Sequence, residues 1–257
     1  MNIMRSAARL LLPQPIRSSL SISLKEKVSR RIRSYLRRNN AELDVTLDMI
    51  LSDYRRKQPH VFFLEIGACD GVSHDAVYPI IQKHSLKGVL VEPQKVVFEK
   101  LRANYSGFDP ARFILVNAAI AEFDGELPLY RVDPGPDIPG WIQGSASFDK
   151  NVLLKQGASV RGLSSMIKTE RVRALSFRSL YEQVGIEHVD LLQIDAEGYD
   201  AVILRLFDIP ARKPAIVRFE FVHLNPQVYR DCLDLLISQG YKISLGFEDA
   251  LAYNPEY

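Results

Sequence analysis

At 257 residues, with 47% hydrophobic and 25% charged side chains, the chain can bury one sizeable core, which excludes a disordered or fibrous protein and favours an α/β domain. No apolar stretch approaches the roughly 20 residues that span a bilayer, and no small-residue cleavage pattern follows the Leu-rich run near the start. Cys69 and Cys232 form no Cys-x-x-Cys pair, so neither a disulfide framework nor a zinc site is indicated, and a reducing cytoplasm fits best.

The first part of the chain is strongly basic. Residues 1–40 hold ten Lys or Arg against one acid, Glu26, for a net charge of +9, which leaves −7 for the remainder. In "SLKEKVSRRIRSYLRR", apolar residues recur at helical spacing between basic ones, which predicts a basic amphipathic helix. We therefore divide the chain into a basic helical extension, residues 1–58, and a domain, residues 59–257.

Three roles are open for this extension. It can be a solvated helix packed on the domain, or it can contact an anionic membrane surface peripherally. The acid-free first 24 residues are also compatible with a transit peptide. Nucleic acid is disfavoured as a partner, because no aromatic residues interleave the basic ones.

Short apolar runs recur from residue 60 onward: "VFFLEI", "KGVLVE", "RFILVN", "VDLLQI" and "AIVRFEF". Runs of this length and composition predict strands buried on both faces, and hence a mostly parallel sheet with helices on each side. "YKISLGF" and "LAYNPEY" predict a closing pair with one antiparallel member. In such a sheet the ligand lies beyond the carboxyl ends of the strands, where the strand order reverses.

The first strand ends in "EIGACDG". Glu65 and Asp70 flank a turn that contains Gly67, Ala68 and Gly71, and a helix is expected to begin near Ser73. A phosphate-binding turn would carry a third glycine and no acid, since carboxylates repel a pyrophosphate. A cationic, phosphate-free nucleoside fits better, and S-adenosylmethionine, with its sulfonium and ammonium groups, is such a ligand.

The next two strand ends extend the same site. Glu92 ends "VLVEP", where a carboxylate can accept both hydroxyls of an adenosine ribose, and Pro93 stops the strand. After the third strand, Asn117 is followed by the small Ala118 and Ala119, which leave room for an adenine ring. An ordinary turn into a hairpin at "ELPLYRV" is the alternative there.

"FLEIGACDGVSHD", "LVEPQKVVFEKLRAN", "FILVNAAIAEFDGELPLY" and "VDLLQIDAEGYDAVIL" together resemble the motif series of FkbM-family methyltransferases over about residues 60–245. The resemblance implies a Rossmann-like class I methyltransferase fold with a seven-stranded sheet. It also implies S-adenosylmethionine as cofactor and a hydroxyl group of a sugar, glycan or hydroxylated natural product as acceptor. The family often has Asp where Glu65 stands and Asn where Cys69 stands, so a side-chain hydrogen bond at Cys69 is in doubt.

An alcohol acceptor must lose a proton during transfer, which requires a general base or a metal ion. Asp195 and Glu197 follow the fourth strand, and Glu220 and His223 lie near the end of the fifth. We expect these four side chains to converge as catalytic residues, with Asp195 the strongest candidate. Asp195, Glu220 and His223 could equally hold a divalent cation.

A Pro-, Gly- and Ser-rich stretch between about residues 131 and 160 is expected to form a long irregular loop over the acceptor. Trp141 could stack on a sugar ring and Ser147 could bind it. Two other function classes stay open: a non-catalytic nucleoside-binding or scaffold protein, and an NAD-dependent oxidoreductase. The acidic residues after the fourth strand argue against the first, and the absence of the glycine fingerprint argues against the second.

Overall fold

A computed structural model describes residues 45–73, 75–133, 135–136, 138–140, 142–246 and 248–257. The predicted basic amphipathic helix and Trp141 lie outside the described residues. In chain order the strands are β1 Phe62–Ile66, β2 Lys87–Val91, β3 Phe113–Val116, β4 Ala119–Ile120, β5 Gly125–Val132, β6 Ala146–Ser147, β7 Ile167–Leu175, β8 Leu191–Ile194, β9 Ile216–Glu220, β10 Lys242–Leu245 and β11 Asp249–Tyr253.

Helices connect these strands. They are α1 Leu47–Lys57, α2 Tyr78–His84, α3 Lys95–Tyr105, α4 Lys150–Gln156, α5 Leu163–Met166, α6 Phe177–Val184, α7 Asp200–Leu206, α8 Ile209–Arg212 and α9 Pro226–Ser238. Within the described ranges, no helix is both long and apolar enough to cross a membrane.

Seven strands form the main sheet in the order β3-β2-β1-β8-β9-β11-β10. β1 pairs in parallel with both β2 and β8, and β8 pairs in parallel with β9, whereas β11 is antiparallel to both of its neighbours. The predicted mostly parallel sheet with an antiparallel closing strand is therefore confirmed. The strand order reverses between β1 and β8, which places the expected ligand crevice at their carboxyl ends.

Both faces of this sheet are covered, because neighbouring residues along each strand point to opposite sides. Phe63 of β1 belongs to a core that includes Leu51, Ile81 and Leu101 of the helices α1, α2 and α3. Leu64, the next residue, belongs to the core on the other face, which is built with α6, α7 and α9. This two-sided burial explains the near-continuous apolar runs of the sequence.

Four shorter strands form a second sheet in the order β4-β7-β5-β6, dominated by the long antiparallel pair β5 and β7. The segment expected to be irregular, 131–160, contains β6 and α4, so that expectation was wrong for part of its length. Asp149 caps α4 by accepting a hydrogen bond from the backbone N–H of Asn151, and Val152 and Leu153 are buried. A helix of seven residues is too short for the periodic spacing of its apolar residues to be recognised in the sequence.

Helix α1 packs on the main sheet, although it precedes the predicted boundary at residue 58. The Tyr54 hydroxyl donates to Asp190 Oδ1 at 2.6 Å, and Asp190 also accepts from the backbone N–H of Phe62. Ser244 of β10 donates to the carbonyl of Val45. We propose that the folded domain includes α1.

This proposal predicts different costs for two substitutions in α1. Leu51 is fully buried, so Leu51→Ala should lower the free energy of unfolding of the full chain by about 2–5 kcal/mol. Met49, on the same helix, is 57% exposed, and Met49→Ala should change it by no more than about 0.5 kcal/mol. Urea denaturation measures the change in the free energy of unfolding for each variant. If Leu51→Ala and Met49→Ala caused equally small changes, α1 would not be part of the folded domain.

Candidate functional site

Two strand ends meet at the point where the strand order reverses. The backbone N–H of Asp195, just after β8, donates to the carbonyl of Ile66 at the end of β1, at 2.9 Å. Gly67 follows with φ +85°, and a Cβ atom there would overlap the carbonyl oxygen of Asp195. Glycine is therefore required at Gly67, because both the backbone conformation and the space exclude a side chain.

The turn after β1 is stabilised by the side chain of Asp70. Asp70 accepts hydrogen bonds from the backbone N–H groups of Val72 and Ser73 and from the Ser73 hydroxyl. Burial opposes ionisation of Asp70, but these bonds outweigh it and lower its pKa. The helix expected near Ser73 begins instead at Tyr78, with Pro79 in its first turn. The Asp70 hydrogen bonds instead hold Val72 and Ser73 in a turn.

Glu92 links the first turn to the end of β2. Its carboxylate oxygens accept from the backbone N–H of Cys69 at 3.1 Å and from that of Gln94 at 2.7 Å. Cys69 therefore contributes a backbone donor, which needs no Asn side chain, and its φ of +49° aims that donor. Glu92 is only 4% exposed, and burial raises its pKa to about 8.

The third strand end joins the same assembly. Asn117 donates through its side-chain amide to the carbonyls of Glu92, at 2.8 Å, and of Pro93, at 3.1 Å. Ala118 is fully buried beside it. Asn117 thus fixes the path of the chain after β2, and the carboxyl ends of three adjacent strands are connected by hydrogen bonds.

A second group of side chains lies after β8 and β9. His223 Nε2 is 3.1 Å from Glu197 Oε2 and 3.6 Å from Glu220 Oε2. One ligand atom from each of the three residues lies within 4.8 Å of the other two. Asp195 is not part of this group. The structure therefore brings together three of the four predicted catalytic residues. In the possible metal site, Glu197 takes the place that was predicted for Asp195.

Gln156, the last residue of α4, also belongs to this group and was missed from the sequence. Its side-chain amide donates to Glu197 Oε2 at 2.9 Å and lies 3.2 Å from His223 Nε2. Gln156 Oε1 and Glu220 Oε2 are buried, and no hydrogen-bond partner reaches them from the described residues. The only sequence signal was a polar residue in the Pro-, Gly- and Ser-rich stretch.

The backbone around Glu197 adopts a left-handed conformation that residues other than glycine rarely adopt. Glu197 has φ +48° and Gly198 has φ +95°, and a Cβ on Gly198 would press on Val152 of α4 and on His223. The Ser147 hydroxyl donates to the carbonyl of Glu197 at 2.7 Å. Ser147 is 2% exposed, so the structure gives it a supporting position under the site, and a direct contact with an acceptor is not favoured.

Ionisation is costly at this edge of the sheet. Burial, together with the charges of Asp200 and Glu197, raises the pKa of Asp195 well above its ordinary value. Burial and the charge of Asp195 do the same for Glu220. Glu65, at the end of β1, is buried and its pKa is also raised. The chemistry of this edge therefore suits a cationic ligand, whose charge would favour the ionised carboxylates.

Comparisons with known proteins find similarities to methyltransferases. A family model described as the methyltransferase FkbM domain matches residues 65–243. No curated protein sequence matches the chain.

Among solved structures, the chain is similar to the methyltransferase FkbM from Methylobacillus flagellatus KT, with 12% identity and a TM-score of 0.48 over 76% of this chain and 44% of that one. The chain thus spans less than half the length of that protein. Aeropyrum pernix fibrillarin with bound S-adenosyl-L-methionine is 12% identical, with a TM-score of 0.37 over 76% of this chain and 65% of that chain. An O-methyltransferase from Bacillus cereus in complex with SAH is 12% identical, with a TM-score of 0.41 over 97% and 96%.

The buried Glu92 predicts a pH dependence of stability. Its carboxyl group has a raised pKa of about 8 in the folded chain against an ordinary value of 4.5, so the folded state binds more protons between these values. The free energy of unfolding should therefore fall as pH rises through this window. Glu92→Gln should reduce that fall by more than about 1 kcal/mol.

Urea denaturation at about pH 5 and about pH 8 measures the difference between wild type and variant. Glu126→Gln is a matched control, because the Glu126 side chain is 62% exposed. If the two variants lose stability equally with rising pH, then Glu92 is ionised in the folded protein and its assigned environment is incorrect.

Proposed function

The chain belongs to the FkbM methyltransferase family, and on this premise we propose that it transfers a methyl group from S-adenosylmethionine to a hydroxyl oxygen of a sugar, a glycan or another hydroxylated small molecule. The observation that carries the proposal is the imidazole of His223 held against two carboxylates beside the strand-order reversal. A methyltransferase that acts on an alcohol needs a proton acceptor at such a place.

The residues at the reversal fit the cofactor. Buried carboxyl groups at Glu65 and Glu92 and the glycine turn between them suit a cationic nucleoside without phosphate. The residues proposed to hold it are Glu65, Gly67, Ala68, Asp70, Gly71, Glu92, Pro93, Asn117 and Ala118. When bound, S-adenosylmethionine supplies an electrophilic methyl group that needs no activation by the protein. The protein has to align the acceptor oxygen and to remove its proton.

We assign the proton acceptor to His223. Burial raises the pKa values of Asp195 and Glu220, which disfavours the ionised form that a carboxylate base requires. Imidazole is the side chain suited to accept a proton near neutral pH, and a neighbouring carboxylate stabilises the imidazolium that results. Glu197, 3.1 Å from His223 Nε2, would supply that stabilisation, while Gln156 fixes the position of Glu197.

A divalent cation is the second role open to the same side chains. Glu197, Glu220 and His223 offer two carboxylates and an imidazole at ligand spacing, and Gln156 Oε1 is a further oxygen without a partner among the described residues. A metal ion there would lower the pKa of an acceptor hydroxyl and so replace the base. Under this alternative, a chelator abolishes transfer and added Mg²⁺ or Mn²⁺ restores it. Under the His223 mechanism, transfer is insensitive to chelation.

The activity test uses radiolabelled S-adenosylmethionine and a panel of free sugars and hydroxylated small molecules. On an acceptor that the wild type methylates, His223→Gln should lower kcat at least about 100-fold, because a general base contributes about 10²–10⁴-fold. Affinity for S-adenosylhomocysteine should stay within about threefold, roughly 0.6 kcal/mol. Near-normal turnover in His223→Gln would remove His223 from the mechanism.

His188→Gln is the matched control, since His188 is 54% exposed and contacts Asp190 before β8. Asp195→Asn tests Asp195, the strongest candidate from the sequence, against His223. If Asp195→Asn abolishes turnover and His223→Gln does not, Asp195 is the base. If no hydroxylated acceptor is methylated while another nucleophile is, the O-methylation proposal fails.

We further propose that the basic extension brings the protein to anionic membrane surfaces, which a net charge of +9 within residues 1–40 would favour. The full chain should co-sediment with vesicles that contain phosphatidylserine and not with neutral phosphatidylcholine vesicles. Raising the salt concentration should release it, because screening weakens the attraction. Equal partitioning onto both vesicle types would reject this role.

A further inference from the structure

An open groove lies beside helix α1. It encloses about 350 Å³ and is lined by α1 together with Val45, by the start of β9 and by residues 253–257. Ile216, the first residue of β9, lines the groove and pairs with Tyr253 of β11. His223 follows the other end of β9, so the groove is separate from the candidate functional site.

The lining of this groove is mostly apolar. Met49 and Tyr257, which both line it, are 57% and 38% exposed. Asp53 is the only charged residue among the described residues that line it. Large apolar side chains that are exposed together on one concave surface are typical of a surface that binds another segment or another molecule.

Hydrogen bonds fix the walls of the groove. The buried Tyr54 hydroxyl donates to Asp190 at 2.6 Å, and the Tyr54 ring packs edge-to-face on Tyr257 with 6.2 Å between the ring centroids. The Tyr257 hydroxyl donates to the carbonyl of Lys213 at 3.0 Å, and the Tyr257 carbonyl accepts from Lys57 Nζ at 2.7 Å. The groove is therefore formed in advance, which lowers the entropy cost of binding an occupant.

The basic extension carries an apolar stripe that suits this groove. Leu24, Val28, Ile32 and Leu36 recur at every fourth position, and most residues between them are basic. Val45, at the groove, follows Leu36 by nine residues, which span up to about 30 Å when extended. The stripe therefore lies within reach of the groove. Residues 1–40 carry a net charge of +9 and the remainder −7, so electrostatic attraction favours the contact.

We propose that residues 24–36 form a helix whose apolar stripe docks in the groove beside α1 of the same chain. Such a helix is about 20 Å long, and helices of this length are marginal in water unless another part of the protein covers their apolar side. The basic residues then face away from the domain, where they can meet an anionic surface. Docking is thus compatible with the proposed vesicle binding, and it does not depend on methyl transfer.

The test is hydrogen exchange of the full chain, followed by mass spectrometry of fragments that cover residues 24–36. A synthetic peptide of residues 21–40 gives the exchange rate of the same amides without the domain. We expect these amides to exchange at least about tenfold more slowly in the full chain, because a docked helix opens rarely. Equal rates in the chain and the peptide would overturn the proposal.

Met49→Gln tests the groove. Met49 is the third residue of α1, where a glutamine can complete a capping box with Thr46, so α1 should stay folded. Slow exchange of the α1 amides checks this. The protection of residues 24–36 should fall to within about threefold of the peptide, since an apolar contact is lost. Val96→Gln is the matched control, because Val96 is 65% exposed on α3 and does not line the groove.

Ile32→Gln tests the stripe from the other side of the contact, and its protection should fall as in Met49→Gln. Ser34→Gln is the matched control, because a residue two positions away lies on another side of a helix. Ser34→Gln should keep the protection of the wild type. Protection that neither Met49→Gln nor Ile32→Gln reduces would mean that the stripe does not bind this groove.

Two further results would assign the stripe to a different partner. Protection that increases with protein concentration would mean that the extension of a second copy fills the groove. Protection that is absent in solution and appears only with phosphatidylserine vesicles would mean that the stripe binds lipid. Either result would overturn docking within one chain, whereas protection that is independent of concentration and present without vesicles supports it.

Discussion

An excess of buried carboxyl groups at one edge of a parallel sheet is the constraint on which the site depends. Glu65, Asp195, Glu220 and Asp249 lie on or directly after four neighbouring strands, and burial raises the pKa of each. The charge of Arg218 opposes this rise at Glu65, Asp195 and Asp249. Buried acids without enough cations take up protons, and so they are poor partners for an anionic ligand and good partners for a cationic one. This explains why a nucleotide-binding type of fold carries acids where a pyrophosphate would otherwise lie.

The same edge separates two tasks in space. Under the proposed function, the turn at Gly67 and the hydrogen bonds of Glu92 would hold the cofactor, whereas His223 and Glu197, which lie after β8 and β9, would meet the acceptor. The segment 142–156 helps to position Glu197. The Ser147 hydroxyl donates to the backbone carbonyl of Glu197, and the Gln156 side chain donates to its carboxylate.

The sequence was informative wherever a strand led directly to a functional position. Apolar runs located β1, β2, β8 and β9, and the residues that follow them are placed by strand pairing alone. Gln156 was not found, because its position depends on a short helix whose path is set by tertiary contacts. From the sequence, Asp195 ranked above Glu197, whereas in the structure Glu197 lies 3.1 Å from His223. The left-handed backbone of Glu197, which the sequence does not reveal, contributes to that placement.

We propose that this edge of the sheet binds a cationic nucleoside without phosphate. Direct titration of the full chain with S-adenosylmethionine, and separately with NAD, tests this binding. We expect saturable binding of S-adenosylmethionine at one site per chain, lost in Glu92→Ala, and no binding of NAD. Binding of NAD, or no binding of S-adenosylmethionine, would contradict it and would mean that the carboxyl groups of the "EIGACDG" turn serve another ligand.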